Sequence, residues 1–236
     1  MKKIVLLLIT ILFLTGVHGQ NTEYSLRFNS GLFSFSGQSA EASTFINYNS
    51  DRNDGYTNNP YGSKSGLSYG ISGNISRITK NNIIFGIDLG YELLRSKIEI
   101  DRVSEYNGTI NQMIEANGKT YLNNSFINVL PTIGYRLSAS KLTFDLSGGI
   151  DFAYCLGTTE KGSATSTTRE YITKRDRKTI DTEFRPRIQI GIYKHKIGIY
   201  LGYSKGLKNY KSEYHGGVNG AFGNIFRFGI KYRIKW

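Results

Sequence analysis

The chain has 236 residues, a net charge of +12, 27 Gly, 17 Tyr, 13 Phe, only 3 Pro and a single Cys. One cysteine excludes an internal disulfide framework, and a negative mean hydropathy with one continuously apolar segment excludes a polytopic helical membrane protein. The Lys and Arg do not gather into one run, so no nucleic-acid partner is expected; anionic headgroups of an envelope membrane suit such a charge better.

The apolar segment opens the chain. Lys2-Lys3 precede an apolar run from Ile4 to Gly16, followed by Val17-His18-Gly19-Gln20. A basic head, a short apolar stretch and small residues at −3 and −1 describe a secretory signal peptide. The run falls short of the ~20 residues that span a bilayer. Residues 1–19 are therefore expected to be a cleaved leader and 20–236 one outer-membrane β-barrel domain starting at Gln20. No Cys follows the run, so no lipid anchor is expected.

The rest of the chain alternates with period two, the signature of strands whose neighbours point to opposite faces. The apolar sets, in order, are Tyr24, Leu26 and Phe28; Leu67, Tyr69, Ile71 and Ile75; Phe85, Ile87, Leu89, Tyr91 and Leu93; Ile127, Val129, Pro131, Ile133, Tyr135 and Leu137; Leu142, Phe144, Leu146, Ile150, Phe152 and Tyr154; Ile188, Ile190 and Ile192; Ile197, Ile199, Leu201 and Tyr203; and Phe226, Phe228, Ile230, Tyr232, Ile234 and Trp236. Connections alternate in length. Tight polar turns fall at Thr79-Lys80-Asn81-Asn82, Ser138-Ala139-Ser140-Lys141 and Lys194-His195-Lys196, while residues 37–64, 101–120, 158–181 and 208–223 make long ones. That layout predicts an all-β fold, a transmembrane antiparallel up-and-down barrel of eight strands with four long outer loops and short periplasmic turns. Tyr24, Tyr135, Tyr232 and Trp236 would mark the periplasmic interface, and Tyr91, Tyr154 and Tyr203 the outer one.

The opposite strand faces then line the lumen. An eight-stranded interior is just wide enough for side chains to fill, and buried charges need partners. Asp88, Glu92, Asp145 and Asp151 are expected to meet Arg27, Arg136, Arg187 and Arg227, with Lys231 and Arg233 on the same face. The sequence predicts a structural charge network rather than an open pore.

The stretch Phe126-Ile-Asn-Val-Leu-Pro131-Thr-Ile-Gly-Tyr135, the Gly-rich strand Gly148-Gly149-Ile150-Asp151-Phe152-Ala153-Tyr154 and the aromatic C-terminal strand together resemble the PorT-like outer-membrane β-barrel family, whose architecture is broadly that of the OmpA and OmpX barrels. The resemblance implies a small outer-membrane barrel whose last strand, ending at Trp236, is read by the insertion machinery. It implies no shared activity and no catalytic residues.

Beyond the leader the only histidines are His195, in a tight turn, and His215, in a long connection. Neither has a second ligand at metal spacing, so no metal or cofactor is expected. Ser212, Glu213 and His215 hold the residue types of a lipid hydrolase, but a triad is defined by geometry. Gly216 to Gly220 read as a loop tip. The first long connection, with Asn47, Tyr48, Asn49, Asp51, Arg52, Asn53, Asp54, Tyr56 and Asn58, has the composition of a contact surface. Lys174, Arg175, Arg177 and Lys178 suit lipopolysaccharide phosphates, diluted by Asp176 and Asp181. The expected function is non-enzymatic: structural, or loop-mediated binding or adhesion at the envelope. A narrow channel or secretion-associated barrel is the alternative, and a lipid-modifying enzyme the more distant one.

Overall fold

The computed structural model describes residues 21–212 and 219–235. The expected leader with Gln20, then Glu213 and His215 with Gly216 to Val218 of the expected loop tip, and Trp236 lie outside the described residues. Eleven strands follow one another: β1 (Asn21–Ser36), β2 (Ser43–Asn49), β3 (Asp54–Thr57), β4 (Lys64–Ile78), β5 (Ile83–Tyr106), β6 (Asn111–Ala139), β7 (Leu142–Thr165), β8 (Glu170–Asp176), β9 (Thr182–Lys194), β10 (Ile197–Lys205) and β11 (Phe222–Lys235). Eight of them, β1, β4, β5, β6, β7, β9, β10 and β11, form a ring of antiparallel pairs. The ring closes where β11 returns to β1, with Phe28 opposite Ile230 and Ile71 on its other side. No strand of this ring is left with a free edge, as a wall in lipid requires.

Three hairpin turns share one end. Each holds a residue in the left-handed region: Asn82 at φ 63°, Ser140 at 54° and His195 at 55°. In the first, the Asn82 amide donates to the Thr79 carbonyl at 3.0 Å, and the Ile83 amide donates to Thr79 Oγ1 at 3.0 Å. His195 thus has a backbone role in a turn, and it is the only histidine among the described residues.

The outward side chains are those the alternation marks. Leu89, Leu146, Ile188, Ile199 and Ile230 are each about half exposed or more, as are Tyr24, Tyr135, Tyr154 and Tyr203 towards the two rims. An exterior this apolar, around an interior of charge, is solvated by lipid. With ~3.3 Å per residue and a ~40° tilt, the run from Phe85 to Leu93 makes a belt roughly 20–25 Å tall.

The two motifs in β6 and β7 pack against each other. Pro131 has no amide to donate, and the β6–β7 ladder skips from Val129–Phe152 to Thr132–Gly149 there. A Cβ on Gly149 would stand 2.1 Å from the Pro131 carbonyl oxygen, so the close approach at this break in the ladder requires glycine.

β5, β6 and β7 do not stop at the rim, and their polarity inverts when they leave it. On β5 the outward set runs Phe85, Ile87, Leu89, Tyr91 and Leu93, then changes to Arg95, Lys97, Glu99 and Asp101. Over the same length the inward set changes from Asp88 and Glu92 to Leu94, Ile98 and Ile100. Inside lipid the apolar face turns out; in water it turns in. Residues 101–120 and 158–181, expected as loops, are thus largely strand, including β8 against β7. Residues 37–64 contribute β2, parallel to β5, and β3. Together β3-β2-β5-β6-β7-β8 wrap a head above the barrel. The seam between β3 and β8 is bridged by side chains: the Thr57 amide donates to Glu160 Oε1 at 2.6 Å, and Arg177 Nε donates to Glu160 Oε2 at 2.6 Å. The opposite wall ends low, at Ser36, Thr182, Lys205 and Phe222.

Leu89→Arg is expected to cost about 2–4 kcal/mol of folding stability in lipid vesicles, whereas Ile110→Arg, at an equally exposed site on the head, should change it by no more than ~0.5 kcal/mol. Urea unfolding of the two variants checks this, and equal effects would refute the placement of the lipid boundary.

Candidate functional site

The lumen is filled in layers, starting from the turn end. Arg136 forks between two carboxylates. Its Nη1 and Nη2 donate to Glu23 at 2.6 and 3.0 Å, and its Nε and Nη2 donate to Asp145 at 2.7 and 2.8 Å. Bidentate pairs of this kind fix geometry as well as charge. Arg233 reaches Glu23 at 3.4 Å and lies over the Tyr193 ring at 4.2 Å.

The next layer is Arg27 on Asp88 at 3.0 Å. Arg27 also donates to Gln189 Oε1 at 3.4 Å, and Gln189 Nε2 donates to Ser147 Oγ at 3.0 Å. Beside it a cavity of about 20 Å³, lined by residues including Asn74, Tyr200 and Lys231, has room for about one water.

Above that, Arg227 Nε and Nη2 donate to Glu92 at 2.6 and 2.8 Å, and Arg185 Nη2 meets Asp151 at 2.7 Å and Glu92 at 3.2 Å. Asn128 Nδ2 donates to Asp151 Oδ1 at 3.0 Å. Asp151 and Arg185 have no exposed surface at all.

An apolar stopper closes the mouth. Phe33, Phe35, Leu94, Leu122, Phe126 and Ile225 pack with Tyr61 and Tyr210. The two tyrosines are brought in by the first and last long connections. Tyr61 Oη donates to the Tyr210 carbonyl at 3.3 Å, and Tyr210 Oη donates to Glu183 Oε2 at 2.9 Å. Above the stopper come the Glu160–Arg177 layer and a second apolar core of Ile46, Tyr48, Ile100, Val103, Ala164 and Tyr171. The head is capped by Arg169, held 4.9 and 4.8 Å from the Tyr48 and Tyr171 rings. Burial first, and the bond it donates to Glu105 second, push the Tyr171 hydroxyl above the ordinary tyrosine range.

The structure therefore brings together Arg27 with Asp88, Arg136 with Asp145, and Arg227 with Glu92 and Asp151. It does not bring Arg187 to a carboxylate. Arg187 and Lys231 lie buried in the lumen with no carboxylate oxygen within 4.0 Å among the described residues, and Lys231 sits 5.4 Å from the Tyr193 ring. Three charged members escaped the sequence reading: Glu23, Glu183 and Arg185. Glu23 shares the parity of Arg27, and both Glu183 and Arg185 that of Arg187, so the signal was present. The lumen holds seven basic and six acidic buried side chains. It is close to neutral, at +1, so most of the chain's +12 lies outside the lumen. Of the hydrolase trio only Ser212 is among the described residues. Tyr48, expected on a contact surface, is buried, while Tyr56 stays exposed beside Arg175 and Arg177 at 5.1 and 5.5 Å.

No family model and no curated protein matches the chain. Among solved structures it is similar to Neisserial surface protein A (11% identity, TM-score 0.38, 91% of this chain and 99% of that one). Another is Ail, the attachment invasion locus protein of Yersinia pestis, in complex with the heparin analogue sucrose octasulfate (10%, TM-score 0.33, 92% and 100%). A third is the translocator domain of autotransporter NalP from Neisseria meningitidis (9%, TM-score 0.25, 99% and 98%). Likeness this low transfers no role. The barrel assignment rests on the strand pairing.

Asp151→Ala leaves Arg185 and Arg227 short of a partner in a dry layer and is expected to cost roughly 3–5 kcal/mol. Asp101→Ala, which breaks an exposed pair with Arg102, should cost about 1 kcal/mol or less. Equal, small losses in urea unfolding would mean that the lumen is wet.

Proposed function

We propose that this chain is a non-enzymatic integral outer-membrane barrel, sealed along its axis, that holds a rigid head above the membrane as a binding surface. The layered lumen carries the reading: charge, apolar stopper, charge and apolar core succeed one another, and the cavity among the lower layers has room for about one water. A channel needs a continuous wet path, and an interior built to conduct would not insert Phe33, Phe35, Tyr61 and Tyr210 across its mouth. The turn end then faces the periplasm and the head faces outward. The likeness of β6, β7 and β11 to PorT-like barrels supports the same placement, as does the leader-like segment at 1–19 with export and cleavage before Gln20. β11, with its apolar outward face, is the segment the insertion machinery would read.

The head is unlike four solvated loops. It has its own buried core, a bridged seam and a cap, so its outer surface is presented in one shape. Preorganisation of this kind lowers the entropic cost of binding and suits adhesion or ligand capture better than a flexible tip.

Single-channel recording of the refolded protein in planar bilayers tests the seal. A flat trace at either polarity is expected. A steady, reproducible conductance step would instead support the narrow channel.

A further inference from the structure

The outward wall of the head carries a feature that neither the seal nor the core explains. Register sets Lys64 opposite Lys97, Lys97 opposite Tyr121, Tyr121 opposite Lys161 and Lys161 opposite Lys174. Four lysines and one tyrosine thus stand side by side across five adjacent strands, β4 to β8. At ~4.8 Å between strands the row is roughly 20 Å wide. Like charges directly opposite one another disfavour a sheet, and this row has two such pairs.

The charges are also free to act. Lys64 is paired with Glu99, but Lys97, Lys161 and Lys174 have no carboxylate oxygen within 4.0 Å among the described residues. The lumen shows the opposite policy, with nearly every charge neutralised. Around Tyr121 the array thickens. Arg95 and Lys119 lie 5.4 and 5.8 Å from its ring, and Arg95 Nε is steadied on Asn123 Oδ1 at 2.8 Å. An aromatic face flanked by cations suits a phosphorylated sugar. Immediately above, an open groove of about 1150 Å³ begins where the β5–β6 ladder slips past Ile100; Lys97, Arg102 and Lys119 border it together with Glu99, Asp101 and Glu115, so the unbalanced positive charge lies in the lysine row below.

Height selects the ligand. The last outward apolar residues of the belt are Leu93 on β5, Ile127 on β6 and Leu156 on β7. Arg95 is two residues above Leu93 and Lys97 four, which places Arg95 roughly 5 Å and the lysine row roughly 10 Å above that rim at ~3.3 Å per residue and a ~40° tilt. A phospholipid headgroup layer is only about 5–7 Å deep, too shallow to meet the row. Phosphates mounted on a saccharide headgroup stand higher. The row also faces sideways, over the leaflet, and not along the barrel axis. The low wall opposite offers Lys205 beside Asn224 and, among the described residues, no comparable array.

We propose that the outward face of β4–β8 binds the phosphate groups of a glycolipid in the surrounding outer leaflet, with Lys97, Lys161 and Lys174 as the phosphate contacts and Tyr121 as the platform for its sugar. This rests on the reading of the chain as an outer-membrane barrel.

The test uses the full chain refolded into phosphatidylcholine nanodiscs, with insertion verified first by the heat-dependent shift in gel mobility that folded barrels show. Failure to insert would overturn the barrel reading, and the proposal with it. The inserted protein is then titrated with bis-phosphorylated lipid A, dephosphorylated lipid A and phosphatidylglycerol, and bound lipid is counted by native mass spectrometry. Bis-phosphorylated lipid A is expected to bind at least about tenfold more tightly than the other two. Each lysine lost near the surface should weaken it about fivefold, so Lys97→Gln with Lys161→Gln should give a loss of about 25-fold, and Lys205→Gln no change. Equal binding of dephosphorylated lipid A, or unchanged binding by the double variant, would overturn the proposal. Equal binding of phosphatidylglycerol would overturn the glycolipid assignment. If the double variant loses affinity for soluble heparin oligosaccharides but keeps its lipid A, the row serves a polyanion in solution and the lipid proposal is wrong.

Discussion

A backbone inside hydrocarbon has no water to satisfy its amides, and each unpaired group costs several kcal/mol. The β1–β11 pairing removes that cost by leaving the eight-stranded ring without an edge. From Tyr24 to Ser36 β1 is matched to β11, and on its other side to β4. Once the ring is closed, strand geometry does the rest. Every second side chain must face lipid and every other must face a lumen too narrow to hold bulk water.

The contents of the lumen follow from that confinement. A lone charge there is costly, so all but Arg187 and Lys231 come in forks and clusters, with Arg136 shared by Glu23 and Asp145 and Glu92 shared by Arg185 and Arg227. Such pairs are weak as net stabilisers, because desolvation cancels much of their attraction. They are strong as selectors. A register slip by one residue would turn every one of them out into lipid. The network is thus better understood as what fixes the alignment of the eight strands than as what holds them together.

The membrane part was legible because period-two parity is a local property. Knowing that Phe28 faces lipid places Arg27, and knowing that Ile188 does places Arg187. The head was not legible in the same way. Its strands keep the period but exchange the polarity of the two faces, so Leu94, Ile98 and Ile100 are inward while Arg95, Lys97 and Glu99 are outward. Read as a continuation of the belt, that change looks like the end of a strand, and the residues beyond it look like loop. The inversion was in the sequence, but its meaning depends on where lipid stops, which no residue states alone. The stopper was hidden for another reason. Tyr61 and Tyr210 reach it from irregular segments, which carry no periodicity, and only the closure of the fold brings them to Phe35 at 5.3 and 4.8 Å.

The central claim is that one sheet runs unbroken from the membrane wall into the head. Hydrogen–deuterium exchange of the lipid-reconstituted protein tests it most directly, because slow exchange reports paired and protected amides. Amides of Ile98 to Val103 and of Tyr121 to Asn124, which lie in the head, are expected to exchange as slowly as those of Leu89 and Val129 within the belt. Exchange of the head amides at the rate of an unstructured peptide, with the belt still protected, would contradict it.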